Sequence, residues 1–272
     1  MSPANDQPGG FSGVWQIFLY NWHFYAVAFV LDLFAALLWM RFSSHSGIRL
    51  AICLAAAVAT FWAFSSLLVS HYVYDRSQLY RWNWLTAVLK RNPGHWVNVH
   101  AGLDQTSDSL LRLFPDARHK ILDIYIRSEM GELSIERARR RAQPPAVSEK
   151  ANPASLPLEE SECDTIFLIF VAHELRRREA RQQFFREVSR ALKPGGCVVL
   201  IEHLRDWKNF LAYGPGALHF FSRRQWLVAC SQPGLKLDRE LGITPFVRCF
   251  VVTKHIPGEV AYSLEAGDAT CC

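Results

Sequence analysis

Hydrophobic positions run almost unbroken in two early stretches, Trp22 to Met40 and Ile48 to Val69. The first carries one charged residue, Asp32, and the second none past Arg49. At ~1.5 Å per residue, each predicts a helix able to cross a hydrocarbon core of ~30 Å. The short polar connector Arg41 to Arg49 would make them a transmembrane hairpin. Trp15, Tyr20, Trp22 and Tyr25, with Tyr72, Tyr74, Tyr80, Trp82 and Trp84, form an aromatic belt at one end. Asp32 is expected to face the partner helix and bond to Thr60, Ser65 or Ser66. Arg76, Arg81, Lys90 and Arg91 outnumber the connector's Arg41 and Arg49, which predicts both termini, and the domain that follows, in the cytoplasm. Asp75 to Lys90 reads as an interfacial helix with Leu79, Trp82, Leu85 and Leu89 toward lipid.

After residue 95 the pattern changes to short apolar runs separated by amphipathic ones. Strands are predicted at Trp96–Gly102, Lys120–Ile126, Thr165–Val171 and Cys197–Ile201, with helices at Thr106–Phe114, from Ser134, at Arg176–Leu192 and at Ser222–Ser231. Ala142 to Ser155, with three prolines, is a loop or a poor third strand. Leu235–Leu241 and Phe246–Thr253 should close the sheet as an antiparallel pair. Phe184, Val188 and Leu192 share one stripe of the Arg176–Leu192 helix, and Pro194-Gly195-Gly196 stops it. Strand, helix, turn and strand make a right-handed crossover in a parallel sheet. Both flanking strands end in His and Glu, at His173-Glu174 and Glu202-His203. Ligands of such sheets bind at the carboxyl ends of strands. The organisation expected is a disordered 1–14, a transmembrane hairpin over 15–71, an interfacial connector over 72–95, one α/β domain over 96–256 and a disordered tail over 257–272.

Composition narrows the function. A net charge of +5 without a concentrated basic stripe argues against nucleic-acid binding. The densest run, Arg137-Ala-Arg-Arg-Arg141, reads as the solvated face of a helix. Seven cysteines occur without CxxC or Cys/His spacing; Cys53, Cys197, Cys230 and Cys249 read as reduced, buried hydrophobes, Cys271-Cys272 as part of an unstructured tail, and no metal is expected.

These pieces together resemble the class I S-adenosylmethionine-dependent methyltransferases over about Trp96 to Lys254. The resemblance rests on Leu156-Pro-Leu-Glu-Glu-Ser-Glu-Cys-Asp164, the strand Thr165–Val171, the helix ending in Leu192-Lys-Pro-Gly-Gly196, and the strand Cys197–Ile201. With the apolar start, the chain is also similar to membrane-anchored, thiol-methylating members. The resemblance implies a doubly wound, mostly parallel, seven-stranded Rossmann-like sheet, S-adenosyl-L-methionine as cofactor and a small, lipophilic methyl acceptor. It implies a cofactor turn at His100-Ala101-Gly102-Leu-Asp104, where the family's GxGxG is reduced to Gly102. It implies a ribose-binding carboxylate at Asp123, or Glu129 or Glu132 should Asp123 point into the sheet. Asn152, shortly before Leu156-Pro157, takes the place of the residue that meets the adenine amino group.

Methyl transfer needs in-line alignment, exclusion of water and removal of the nucleophile's proton. His173, His203 and His219 are the candidate bases, with Glu174 and Glu202 placed to orient them. Phe210, Tyr213, Phe220, Phe221 and Trp226 would wall the acceptor pocket. The competing readings are a non-catalytic membrane protein with a degenerate fold and a nicotinamide oxidoreductase, the latter opposed by the absence of GxGxxG.

Overall fold

The computed structural model describes residues 10–41, 46–102, 104–130, 133–141 and 148–255. Alternating apolar residues lay down seven strands among them: β1 (His95–His100), β2 (Arg118–Asp123), β3 (Ser148–Lys150), β4 (Cys163–Ile169), β5 (Leu192–His203), β6 (Leu235–Thr244) and β7 (Val247–Lys254). Their order across the sheet is β3-β2-β1-β4-β5-β7-β6. The first five are parallel and β7 runs antiparallel to both β5 and β6. This is the doubly wound, mostly parallel, seven-stranded sheet that the resemblance implies. Winding reverses between β1 and β4, which opens the crevice at their carboxyl ends.

Period-two alternation splits the apolar residues of the central strands between two cores. Val97, Val99, Ile166, Leu168, Val198 and Leu200 face one, packed with Phe184, Phe185 and Trp226. Trp96, Phe167, Val199 and Ile201 face the other. The helices after the sheet begins are α4 (Ser107–Leu113), α5 (Leu133–Arg141), α6 (Arg178–Ala191), α7 (Trp207–Tyr213) and α8 (Arg223–Ser231), preceded by α1 (Ser12–Arg41), α2 (Ser46–Ser70) and α3 (Asn83–Val88).

Several expectations need correction. The segment after α2 is not a lipid-facing helix. Leu79, Trp82, Leu85 and Leu89 are buried in the second core, because that face of the sheet has little else to cover it. The chain instead winds through a π-helical turn (His71–Arg76), a 3-10 turn (Leu79–Arg81) and α3. β3 does form, as a three-residue edge strand held to β2. β5 starts at Leu192, so the Pro-Gly-Gly turn lies inside the strand, where Gly196 lets β4 come close; a Cβ there would sit 2.9 Å from the Asp164 carbonyl oxygen. α7 has no counterpart among the predicted elements.

Helix α1 begins at Ser12 rather than after residue 14. The Asp75 carboxylate caps it, accepting the Gly13 and Val14 N–H groups at 2.6 and 3.0 Å. Residues 1–9, 42–45 and 256–272, which include most of both expected disordered ends, lie outside the described residues. α1 and α2 pack together, and each is long and apolar enough to cross a membrane. Asp32 takes the partner expected of it, accepting from Thr60 Oγ1 at 2.8 Å.

The basic run on α5 is a clasp, not a solvated face. Asn21 breaks the α1 backbone with φ −115° and ψ 15°. Arg137 donates to the Tyr20 carbonyl at 2.7 Å and packs over Trp22, and Arg141 reaches the Leu19 carbonyl at 3.5 Å.

Candidate active site

The carboxyl ends of β1 and β2 bring together His100, Gly102, Asp104 and Asp123, residues expected to form a cofactor cradle. Past β1 the chain turns at Gly102, with φ +107°, a conformation that side chains disfavour. His100 fixes this turn: its Nδ1 accepts the Gly102 N–H at 3.0 Å and its Nε2 is 2.8 Å from Ser148 Oγ. Burial, reinforced by Arg139, lowers the His100 pKa against the opposing pull of Asp104 and Asp123. Ala101 is buried beside it. Asp104 caps α4, accepting the Thr106 and Ser107 N–H groups at 2.9 Å each, while its Oδ2 is buried with no hydrogen-bond partner among the described residues.

Asp123 ends β2, buried and pointing into this cradle rather than into the sheet core. Arg139 grips it with two hydrogen bonds, and any Cβ at Gly102 would collide with the same guanidinium. Glu129 pairs with Arg177 instead, and Glu132 lies outside the described residues. Asn152 closes a turn of its own chain, accepting the Ala154 N–H at 2.9 Å, and Leu156 is buried in the first core. A glycine turn beside a carboxylate at the end of β2 fits S-adenosylmethionine in type: Asp123 for the ribose hydroxyls, Gly102 for close backbone approach. Arg139 lies across both.

At the carboxyl ends of β4 and β5 the His and Glu residues do come together. Phe170, immediately past β4, adopts φ +51°, and the chain then coils into a 3-10 turn at Ala172–Glu174. That turn aims the His173 ring at β5. Glu202 is fully buried there: its Oε2 lies 2.7 Å from His173 Nδ1 and its Oε1 accepts the His173 N–H at 3.2 Å. His173 Nε2 faces Glu174 Oε1 at 3.2 Å, and the His219 ring stands edge-on at 5.3 Å. Burial opposes a charge on His173, but Glu202 and Glu174 outweigh it and raise its pKa well above the ordinary value. Glu174 Oε2 is buried with no hydrogen-bond partner among the described residues.

His203 stands apart from this cluster. Its Nδ1–H donates to the Phe246 carbonyl at 3.0 Å and its Nε2 accepts from Tyr74 OH at 2.9 Å, between the stacked rings of Phe170 and Phe220. Burial pushes its pKa down to about 4, so it is neutral at pH 7. With both nitrogens engaged, it ties the segment after α2 to the sheet.

The expected aromatic wall divides likewise. Phe221 and Trp226 belong to the first core. Phe210 meets Trp62 of α2 edge-on at 5.6 Å. The missed α7 is what brings the hairpin to the site. Gly214 follows it with φ +56°, where a Cβ would lie 2.6 Å from Trp62 Cδ2, and the 3-10 turn Gly214–His219 runs on to His219. A surface hollow lined by His95, Asp116, Arg118 and Glu162 opens at the opposite, amino ends of β1 and β2, away from these groups.

The methyltransferase domain family matches residues 105–200. Solved structures with similar folds include an S-adenosylmethionine-dependent methyltransferase from Methanosarcina mazei (16% identity, 64% of this chain, 98% of that one, TM-score 0.44). Another is an S-adenosylmethionine-dependent methyltransferase from Aquifex aeolicus (17% identity, 58% and 81%, TM-score 0.45). A third is human N-acetylserotonin methyltransferase in complex with S-adenosylmethionine (13% identity, 74% and 59%, TM-score 0.48). No curated protein matches the chain. The likeness of the chain to known proteins thus consists of this match to the methyltransferase domain family over residues 105–200.

Proposed function

We propose that this protein is a membrane-anchored S-adenosylmethionine-dependent methyltransferase acting on a small, lipophilic nucleophile, with its catalytic domain in the cytoplasm. The observation that carries the proposal is the seating of His219. It closes a turn whose first residue, Gly214, packs on Trp62 of the apolar hairpin, and its ring meets His173 at the sheet crevice. An acceptor dissolved in lipid would reach the crevice along this contact. Trp207, Leu211 and Leu218 beside it are 71%, 53% and 59% exposed, an apolar surface suited to lipid.

When bound, the cofactor supplies an electrophilic methyl group on sulphonium sulphur. The protein's share of the work is to align, dehydrate and deprotonate the acceptor. Gly102 and Asp123 hold the cofactor end of the crevice, with Asn152 and Leu156 on its margin. His173, Glu174 and His219 receive the acceptor and handle its proton. Glu202 fixes the His173 ring, and His203 holds the surrounding loops.

Calorimetric titration of the full chain in detergent with S-adenosylmethionine and S-adenosylhomocysteine tests the reading. Binding of both is expected. A folded protein that binds neither would overturn it.

A second reading, a non-catalytic membrane protein retaining the fold, is favoured by Arg139 lying across Gly102 and Asp123. It predicts no cofactor binding even in Arg139→Ala.

A further inference from the structure

We propose that His173, Glu174 and His219 form a binding site for one divalent transition-metal ion, with Glu202 as the buried carboxylate that orients His173. The three side chains offer ligand atoms that all lie within 4.8 Å of one another. His173 Nε2 and Glu174 Oε1 are 3.2 Å apart. Two ligands of one ion with bonds of ~2.1 Å and tetrahedral angles stand about 3.4 Å apart, so this pair is already near coordinating distance. Two imidazoles and one carboxylate are a donor set that suits zinc and other first-row ions, and with three protein ligands it leaves a coordination position open.

Two further observations point to a cation rather than to a plain ion pair. Glu174 is buried, yet its Oε2 has no hydrogen-bond partner among the described residues. A buried carboxylate oxygen without a partner is costly, and a metal ion beside it would satisfy it. Glu202, fully buried, lies 2.7 Å from His173 Nδ1. A ligating histidine characteristically donates its second ring N–H to such a carboxylate, which fixes the tautomer and presents the other nitrogen to the metal. Here that arrangement leaves Nε2 turned toward Glu174 and His219.

The consequence rests on the methyltransferase reading. An acceptor thiol or hydroxyl occupying the open position would lose its proton more readily, because a bound cation stabilises the anion. Metal binding itself does not depend on that reading.

The test uses the full chain in detergent, purified with a histidine-free tag, stripped with a chelator and titrated with Zn2+ alone. One tight equivalent is expected, and Co2+ in its place should give the visible bands of a low-symmetry protein site. Glu174→Gln and His219→Ala should each weaken binding by ~100-fold or more. Glu202→Gln, which removes no ligand, should weaken it by ~10–100-fold. Absence of a tight equivalent, or affinity unchanged in Glu174→Gln and His219→Ala that melt like the parent, overturns the proposal. S-adenosylhomocysteine titrated into the same samples separates the two readings. Zinc binding without cofactor binding leaves the metal site standing and removes the methyltransferase; the converse removes only the metal.

Discussion

Arg139 and Asp123 form a two-pronged pair across the cofactor turn, Nη1 to Oδ1 at 3.1 Å and Nη2 to Oδ2 at 3.0 Å. The guanidinium also lies over the Tyr125 ring, at 4.1 Å from its centroid. A ribose cannot take the Asp123 carboxylate while this pair stands. The side chain must swing away first, and affinity falls by the fraction of molecules in which it has. Arg139→Ala should therefore bind S-adenosylhomocysteine about 10-fold more tightly, though it leaves a buried carboxylate without its partner and lowers stability by ~1–3 kcal/mol. Calorimetry on the two proteins decides it. Weaker binding by a folded variant would make Arg139 a ligand contact rather than an obstruction.

The His203 pair with Tyr74 predicts a dependence of stability on pH. The folded pKa is about 4 against an ordinary 6.5, so the unfolded chain binds this proton first as pH falls. Stability from neutral His203 is therefore complete above pH 6.5 and is lost progressively down to pH 4. The loss amounts to ~3 kcal/mol at ~1.36 kcal/mol per pKa unit. Melting temperatures of the parent and His203→Gln, followed from pH 7 to pH 4, should converge as the acid side is reached. Parallel curves would mean that the imidazole does not titrate in this window.

The sheet was legible because its signals are local. Apolar runs such as Thr165–Val171 and Cys197–Ile201 report their own backbone states, and β4 and β5 formed where those signals lie, although β5 starts earlier and takes in the Pro-Gly-Gly expected to be a turn. What was illegible depends on partners distant in sequence. Leu79, Trp82, Leu85 and Leu89 present the same amphipathic pattern whether lipid or a sheet face covers them, and here the second core does. Arg137 looked solvated because nothing near it in sequence shows that it meets the Tyr20 carbonyl 117 residues away. The His173, Glu174 and His219 cluster had the same obscurity. His219 arrives from a turn positioned by α7 and Trp62, so no metal-like spacing exists to be read. Asp123 was legible as a position at a strand end, but its occupation by Arg139 was not.

Gly214 should be the most sensitive point between hairpin and domain. Its φ of +56° already disfavours a side chain, and a Cβ would lie 2.6 and 2.8 Å from Trp62 Cδ2 and Cγ. Gly214→Ala must push the turn off α2, and His219 moves with it. We expect a destabilisation of ~1–3 kcal/mol from backbone strain and overpacking together. Trp62→Ala in the same chain removes the obstacle but not the strain, so the double variant should recover part of the loss. A double-variant cycle by thermal melting measures the coupling. Additive effects would show that the glycine answers only to its backbone.

Arg137 closes the kink in α1, and its removal should loosen the hairpin from the domain rather than unfold either. Nη1 donates to the Tyr20 carbonyl and approaches His23 Nδ1, both at 2.7 Å. Arg137→Ala removes the donor that meets the Tyr20 carbonyl beside the break at Asn21, at a cost of ~1–3 kcal/mol. Arg137→Lys retains the charge but loses the planar guanidinium that packs over the Trp22 ring, and should recover only part of the loss. The arginine also spans the interval between α1 and the helix that carries Arg139, so loosening it should free the Asp123 turn. Two readouts follow: faster protease cleavage near Asn21, and tighter binding of S-adenosylhomocysteine in the direction expected for Arg139→Ala. Faster cleavage with unchanged cofactor affinity would confine Arg137 to the hairpin and leave the Arg139 pair independent of it.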